Sequence, residues 1–196
     1  RYIIGGYTNT NSANPDDAFI ASIDTTGNFA IKRKFASANK SERITDIICN
    51  YNQTTGSQDV YFCMETASTV NALDVDVAVG KCQIGVNAIT VDWINTYASS
   101  LHSMIDTSIA IDEFNEVYIN ATCRQKANDT DRDSIWVGKI DSAGALIWNY
   151  RYLTPGRDVT SAGKSAIDLF GDLNIAYTRD NNTNEYKTMD ILKIGY

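Results

Sequence analysis

Residues that are typical of catalytic, zinc-binding and membrane-spanning proteins are rare in this chain. Histidine occurs once, at His102, among 196 residues. Ser103 and Asp106 are close to it in sequence, but adjacent residues in a loop do not make a Ser-His-Asp triad, which is defined by geometry. The four cysteines contain no Cys-x-x-Cys pair, which argues against a zinc site. No apolar run approaches the ~18 residues of a transmembrane helix, so we expect no membrane span.

Positive charge is also scarce. The formal net charge is −7 and the pI is about 4.6; the basic cluster of Lys32, Arg33 and Lys34 alternates along an extended run. Phosphate binding needs clustered Lys and Arg, so nucleic acid is not an expected partner. The hydrophobic fraction of 43% and the eleven tyrosines indicate an ordered chain, and the length allows one domain with a good core.

The chain does contain a repeat of about 58 residues. Similar segments begin at Tyr2, Val60, Val117 and Leu173, with spacings of 58, 57 and 56 residues. A fixed period of this size is typical of propellers, solenoids and other arrays. The predicted units of this single domain are residues 1–43, 44–100, 101–159 and 160–196.

Each unit contains short runs that we name a to d in chain order. In the third unit they cover residues 108–112, 116–122, 134–141 and 146–152. The runs alternate in polarity and are rich in Val, Ile, Tyr, Phe and Trp, which predicts strands, and no stretch shows a helical period with caps. We therefore predict an all-β fold of antiparallel four-stranded sheets, the composition of β-propeller blades.

These runs resemble a known repeat family. Two segments are similar to the SBBP-type beta-propeller repeat. One is residues 134–152, with the strand Ser-Ile-Trp-Val-Gly-Lys-Ile-Asp and the run Trp-Asn-Tyr, and the other is Ile-Asp-Glu-Phe-Asn-Glu-Val-Tyr-Ile from residue 111. The resemblance covers nearly the whole chain and implies a secreted or surface propeller, mostly without assigned chemistry. The glycine pair that usually follows run d is replaced by Ala36-Ser37 and Ala98-Ser99, and Pro155-Gly156 only approximates it.

The first unit lacks run a and the last unit lacks run d. Natural proteins normally cover or blunt an exposed sheet edge. We therefore expect either a longer polypeptide or completion of the sheets by other subunits through strand addition, with self-association. The chain begins with Arg1 and shows no signal peptide, which is typical of a processed or partial chain.

Five Asn-x-Ser/Thr sequons favour an extracellular protein that carries N-linked glycans. Four lie in predicted loops and Asn120 lies inside run b; the alternative is that an Asn- and Thr-rich chain produces such triplets by chance. The acceptors are Asn39, Asn52, Asn120, Asn128 and Asn181.

The cysteines leave two interpretations open. Cys49 and Cys82 align with apolar core positions, where a free Cys behaves as a small hydrophobe. In a secreted protein, however, the even count formed by Cys49, Cys63, Cys82 and Cys123 favours disulfides, with three possible connectivities and no preferred pairing.

The carboxylates form no convincing catalytic or metal site. Asp24, Asp112, Asp141 and Asp168 recur at matching turn positions. A paired acid and base for glycoside hydrolysis is the alternative, but a catalytic residue is needed once, whereas a turn residue recurs. We therefore expect no enzymatic activity and no cofactor.

One acidic loop is the best metal candidate. Asp129, Asp131 and Asp133 follow Asn128 with the alternation of a calcium loop. The EF-hand Gly and late Glu are missing, and Arg132 adds positive charge. We predict a solvated loop and no metal site.

Tryptophans could form a sugar platform, but they too follow the repeat. Trp93 and Trp148 align in run d, and Trp136 aligns with Phe19 in run c, which favours packing between units. We therefore predict an extracellular, structural or adhesive β-propeller that acts through protein contacts and assembles into a filament or matrix. The alternative is a carbohydrate-binding, lectin-like propeller.

Overall fold

The chain is described by a computed structural model for residues 1–9, 15–38, 40–52, 57–68, 74–125, 133–153, 159–180 and 187–195. Within these ranges it forms fourteen β-strands and no helix, so these ranges hold no helix that could cross a membrane. The strands are β1 (Tyr2–Thr8), β2 (Asp17–Ile23), β3 (Phe29–Phe35), β4 (Lys40–Asn52), β5 (Ser57–Ser68), β6 (Val75–Ile84), β7 (Ile89–Tyr97), β8 (His102–Ile111), β9 (Val117–Gln125), β10 (Ser134–Ile140), β11 (Leu146–Tyr152), β12 (Val159–Ile167), β13 (Leu173–Asp180) and β14 (Lys187–Ile194).

Each repeat corresponds to one antiparallel sheet, although β4 begins at Lys40 and β12 at Val159, before the predicted unit boundaries. The strand orders are β1-β2-β3, β4-β5-β6-β7, β8-β9-β10-β11 and β12-β13-β14, which we call the first to fourth sheets. All neighbouring strands are consecutive in the chain, as expected for hairpin links. The prediction of an all-β chain of antiparallel sheets is confirmed, and the described strands of each sheet match the predicted runs.

Three apolar cores lie between consecutive sheets. The alternation of side chains along each strand gives every middle sheet two buried faces. In β9, Val117 and Ile119 pack against the second sheet, whereas Tyr118 packs against the fourth. Each fully buried Val, Ile or Phe side chain contributes about 1.5–3 kcal/mol, so these cores supply most of the stability that holds the sheets together.

The run-a strands β4, β8 and β12 lie beside one another and share a polar contact. Each has a bulge in its pairing with the next strand, at Ile44/Asp46, Ile105/Ser108 and Ala162/Ser165. Asp46 Oδ2 accepts hydrogen bonds from Ser108 Oγ at 2.7 Å and from the Ile109 N–H at 3.2 Å. Lys164 Nζ lies 2.7 Å from Asp46 Oδ1. One carboxylate thus joins the second, third and fourth sheets.

Two strands begin or end beyond their predicted limits. Tyr51 and Asn52 continue β4 and pair with Gln58 and Ser57 of β5. His102, predicted in the loop before run a, begins β8, because pairing with β9 continues past the bulge to His102 and Gln125. Ser103 and Asp106 therefore also lie in a strand, which corrects the predicted loop.

The recurring aspartates hold the hairpin turns, as predicted. Asp141 Oδ1 accepts hydrogen bonds from the N–H groups of Ala143 at 2.9 Å and Ala145 at 2.8 Å. Asp24, Asp112 and Asp168 accept backbone N–H groups at the same relative positions. Their recurrence is thereby explained by turn structure.

Two turn glycines provide a matched test of packing between sheets. Gly144 and Gly27 have φ values of 92° and 89°, so an alanine at either position is strained by about 1–2 kcal/mol. A Cβ on Gly144 would lie 2.8 Å from Trp93 of the second sheet, whereas a Cβ on Gly27 meets nothing within 4 Å. We expect Gly144→Ala to lower the free energy of unfolding by about 1–3 kcal/mol more than Gly27→Ala. Equal losses in urea titrations would contradict packing of this turn on Trp93.

Candidate interaction surface

A lysine–carboxylate pair recurs at the same end of three sheets. Lys81 Nζ lies 3.1 Å from Asp59, Lys139 Nζ lies 2.5 Å from Glu116, and Lys193 Nζ lies 2.7 Å from Asp172. In each sheet the acid directly precedes the buried residue Val60, Val117 or Leu173, and the lysine is near the end of run c. Such repetition indicates a structural element of the repeat.

The pair in the third sheet is well shielded from solvent. The Lys139 side chain is 9% exposed, and its Nζ lies 5.0 Å from the centre of the Tyr118 ring. Burial alone would lower the pKa of Lys139, but hydrogen bonds with Glu116 and Tyr118 outweigh it and the pKa is raised. The lysine therefore stays charged and compensates the acid.

One apolar face of the fourth sheet is uncovered. Residues at the same position of the four repeats form a column. In one column of run c, Ala18, Val77 and Ile135 are at most 2% exposed, whereas Met189 is 78% exposed. In a second column Ile20, Val79 and Val137 are 0% exposed, whereas Ile191 is 70% exposed. These columns face the following sheet in the first three sheets, so Met189 and Ile191 mark an unused stacking face.

The opposite face of the first sheet is uncovered in the same way. Val60, Val117 and Leu173 lie near the start of run b in the other sheets, face the preceding sheet and are at most 1% exposed. Tyr2 occupies their column and is 66% exposed. The chain therefore presents both halves of the contact that it uses three times internally. We call these two surfaces the stacking faces.

The predicted glycosylation sites fall into three groups. Asn39, Asn128 and Asn181 lie outside the described residues, and Asn52 ends β4. Asn120 is 0% exposed, and its Nδ2 donates to the Gly163 carbonyl oxygen at 3.0 Å. A glycan on Asn120 would have to open this contact, so the folded chain disfavours that acceptor.

The disulfides that the cysteine count favoured are not formed, because all four cysteines are free. Cys49 and Cys82 are both paired with Val60 of β5, on opposite sides of it. They are therefore about 10 Å apart, which exceeds the ~7 Å limit between bridged Cα atoms. Cys63 and Cys123 lie on facing sheets of one core, also about 10 Å apart.

Burial explains the chemistry of the thiols. Cys49 is exposed, whereas Cys63, Cys82 and Cys123 are buried. Burial raises the pKa of Cys82 to about 12 and that of Cys63 and Cys123 to about 11. The sequence alignment placed Cys49 in a core column as well, with Ile111 and Ile167, but the structure leaves its thiol exposed.

The tryptophans pack between sheets, as predicted. Trp93 and Trp136 contact the core between the second and third sheets, and Trp148 contacts the core between the third and fourth. Trp93 Nε1 also donates to the Ser142 carbonyl oxygen at 3.1 Å. Of the acidic loop, the structure describes Asp133, which lies 3.8 Å from Arg124; residues 128–132 lie outside the described ranges.

Thiol reactivity should distinguish the cysteines. Without reductant, we expect a thiol reagent to modify one cysteine, Cys49, in the folded chain and four after denaturation, because the other three are buried. Mass spectrometry identifies the modified residue, and a Cys49→Ser variant should react at none while folded. Fewer than four reactive thiols after denaturation would demonstrate a disulfide.

The turn of the fourth sheet should depend on pH. A hydrogen bond from Lys193, supported by Asn174 and the backbone, lowers the pKa of Asp168 from 3.8 to about 2. Because the folded chain has the lower pKa, the charged form stabilises it above about pH 4, and this contribution is lost as the pH falls toward about 2. The free energy of unfolding should therefore differ most between wild type and Asp168→Asn above about pH 5 and converge near pH 2. A constant difference over this range would contradict the stabilising contact.

Comparison with known proteins gives limited information. No family model matches the chain, and none of the curated proteins matches it. Among solved structures, it is similar to the endo-arabinase from Bacteroides thetaiotaomicron VPI-5482, with 13% sequence identity and a TM-score of 0.46. The match covers 93% of this chain and 66% of that chain. At this level of likeness, no activity or substrate is transferred to this chain.

The prediction of no enzymatic activity is corrected by the same comparison. A structure that matches 93% of the chain belongs to an enzyme. The prediction was wrong because it treated the absence of familiar catalytic spacing as an exclusion, although function depends on sites that a fold carries. Enzymatic activity is therefore no longer excluded, and no reaction is assigned to the chain.

Proposed function

We propose that the chain is a β-propeller-type scaffold with a structural or adhesive role, acting through contacts with other protein subunits. The observation that carries this proposal is the pair of uncovered stacking faces. The extracellular location indicated by the sequons is part of the same proposal.

The contact at Asp46 supports a radial arrangement of the sheets. Consecutive sheets stack about 10 Å apart, so the second and fourth members of a straight stack would be separated by about 20 Å. Yet Lys164 of the fourth sheet lies 2.7 Å from Asp46 of the second. The run-a strands therefore converge, as the inner strands of propeller blades do.

The stacking faces support a protein partner. Met189 and Ile191 lie on the same face of β14. No described sheet packs against this face, and both side chains are exposed. Large apolar side chains at adjacent positions of an uncovered face are typical of protein interaction sites. The equivalent residues of the other three sheets are buried by a sheet of this same repeat, which identifies the chemistry of the partner.

We commit to a second copy of this chain as the partner. The face marked by Tyr2 and Ile4 on the first sheet is the counterpart, by repeat position, of the faces that cover Ile20, Val79 and Val137 inside the chain. The contact is heterologous, so its repetition produces a ring if the rotation closes and a filament if it does not.

Sedimentation of the purified chain over a concentration series tests this function. We expect assemblies that are lost in Ile191→Lys, because a charged side chain would be buried at the contact. Leu169→Lys is the matched control, since Leu169 is 102% exposed at a turn outside the stacking face. It should assemble like the wild type.

Two results would contradict the proposal. A wild-type chain that remains monomeric throughout would show that a second copy does not occupy the stacking face. Equal loss of assembly in Ile191→Lys and Leu169→Lys, with both variants folded by circular dichroism, would place the contact elsewhere.

A further inference from the structure

A cleft of about 430 Å³ lies at the boundary between the first and second sheets. This volume is within the range of small-molecule sites. Its apolar wall includes Phe35, Met64 and Ile94, and its polar lining includes Glu42 and Thr66. It is at the opposite end of the sheets from the lysine–carboxylate pairs.

Glu42 and Thr66 are unusual because they are buried polar residues with unused hydrogen-bonding capacity. Glu42 is 1% exposed and Thr66 is 5% exposed, and the two residues are direct partners across β4 and β5. Glu42 Oε2 and Thr66 Oγ1 are both buried and have no hydrogen-bond partner among the residues that the structure describes. Buried polar groups are nearly always paired, so such a pair of orphaned atoms requires an explanation.

Ser37 is the polar neighbour of this carboxyl group. Burial raises the pKa of Glu42, and the influence of the Ser37 hydroxyl and backbone N–H, which lowers it, does not outweigh burial. The Glu42 N–H donates to the Asp16 carbonyl oxygen at 2.8 Å, which anchors the backbone. The backbone of Glu42 is thus anchored, whereas its side-chain Oε2 makes no hydrogen bond within the described part of the chain.

The repeat does not require this pair. At the next sheet boundary the same strand positions hold Met104 and Cys123, which are also direct partners and line the equivalent cleft. Both are apolar in character and buried. A feature that recurs serves the fold, whereas Glu42 and Thr66 occur at one boundary and impose a cost there.

The charges around the cleft restrict the ligand. Lys34 pairs with Asp17, Lys40 lies 3.7 Å from Asp76, and Arg33 Nη1 donates to the Ile89 carbonyl oxygen at 3.4 Å. These cations are already engaged, so they offer little to an anion, which Glu42 itself would repel.

A hydroxyl group satisfies both orphaned atoms. It can donate to Glu42 Oε2 and accept from Thr66 Oγ1, and the carbon-bound hydrogens of a sugar can pack on the apolar wall. We propose that this cleft binds a neutral saccharide through one ligand hydroxyl shared by Glu42 and Thr66. The proposal is independent of the stacking faces.

Saturation-transfer NMR on the full chain tests the proposal. The probes are glucose, galactose, mannose, xylose and arabinose, with glucuronate and glucosamine as charged comparisons. We expect at least one neutral sugar to bind, and Glu42→Gln and Thr66→Val each to weaken its affinity at least about tenfold. Met104→Leu, at the equivalent strand position of the neighbouring cleft, should bind like the wild type.

The variants should remain folded, because Glu42→Gln removes the buried charge and Thr66→Val removes the orphaned hydroxyl, and each keeps the shape of its side chain. Melting temperatures equal to or above that of the wild type would verify this. Failure of every neutral sugar to bind, exclusive binding of a charged sugar, or unchanged affinity in both variants would overturn the proposal. Occupation of the cleft by ordered water alone, with no saccharide binding in solution, would also overturn it.

Discussion

The arrangement of the sheets depends on the Asp46 carboxylate. Apolar stacking is non-directional and holds neighbouring sheets together without fixing how they fan out. A partly buried carboxylate is costly unless it is paired and hydrogen-bonded. Here Ser108, the Ile109 N–H and Lys164 all satisfy it. Any other orientation of the second, third and fourth sheets would separate Asp46 from one of these partners at a cost in free energy, so the contact favours the observed orientation.

The bulges make this contact possible. A bulge places one extra residue in a strand and redirects the adjacent side chains. The bulge occurs at the same point of β4, β8 and β12. The polar side chains next to it therefore meet at one place, whereas a regular strand would direct successive side chains to opposite faces. The apolar cores and the polar contact thus have separate roles. The cores stabilise the stack of sheets, and the polar contact determines how the sheets are oriented relative to one another.

Much of the fold could be predicted from the sequence, because period and alternation are both local patterns. The columns containing Val60, Val117 and Leu173 identified the strands and their faces, and Asp141 identified a turn. The bulges could not be predicted, since they appear only in the pairing of two strands. His102 was misplaced for this reason: beyond a bulge, the polarity pattern changes register while the strand continues.

The candidate sites were predicted less well, for a different physical reason. Met189 and Ile191 look like ordinary core residues in an alignment of the repeats, and only three-dimensional packing shows that nothing described covers them. Glu42 gave one usable signal, a carboxylate at a position where the next repeat has Met104. The cysteine count favoured disulfides because counting ignores distance, and the pairing of Cys49 and Cys82 with the same residue excludes their bridge.

The buried thiols have a consequence for where such a fold can exist. With pKa values of about 11 to 12 for Cys63, Cys82 and Cys123, only about one thiol in ten thousand, or fewer, is ionised at neutral pH. Oxidants and disulfides react with the thiolate. The thiols in the cores therefore react slowly with oxidants and disulfides, so oxidising surroundings alter these three cysteines slowly while the sheets stay packed.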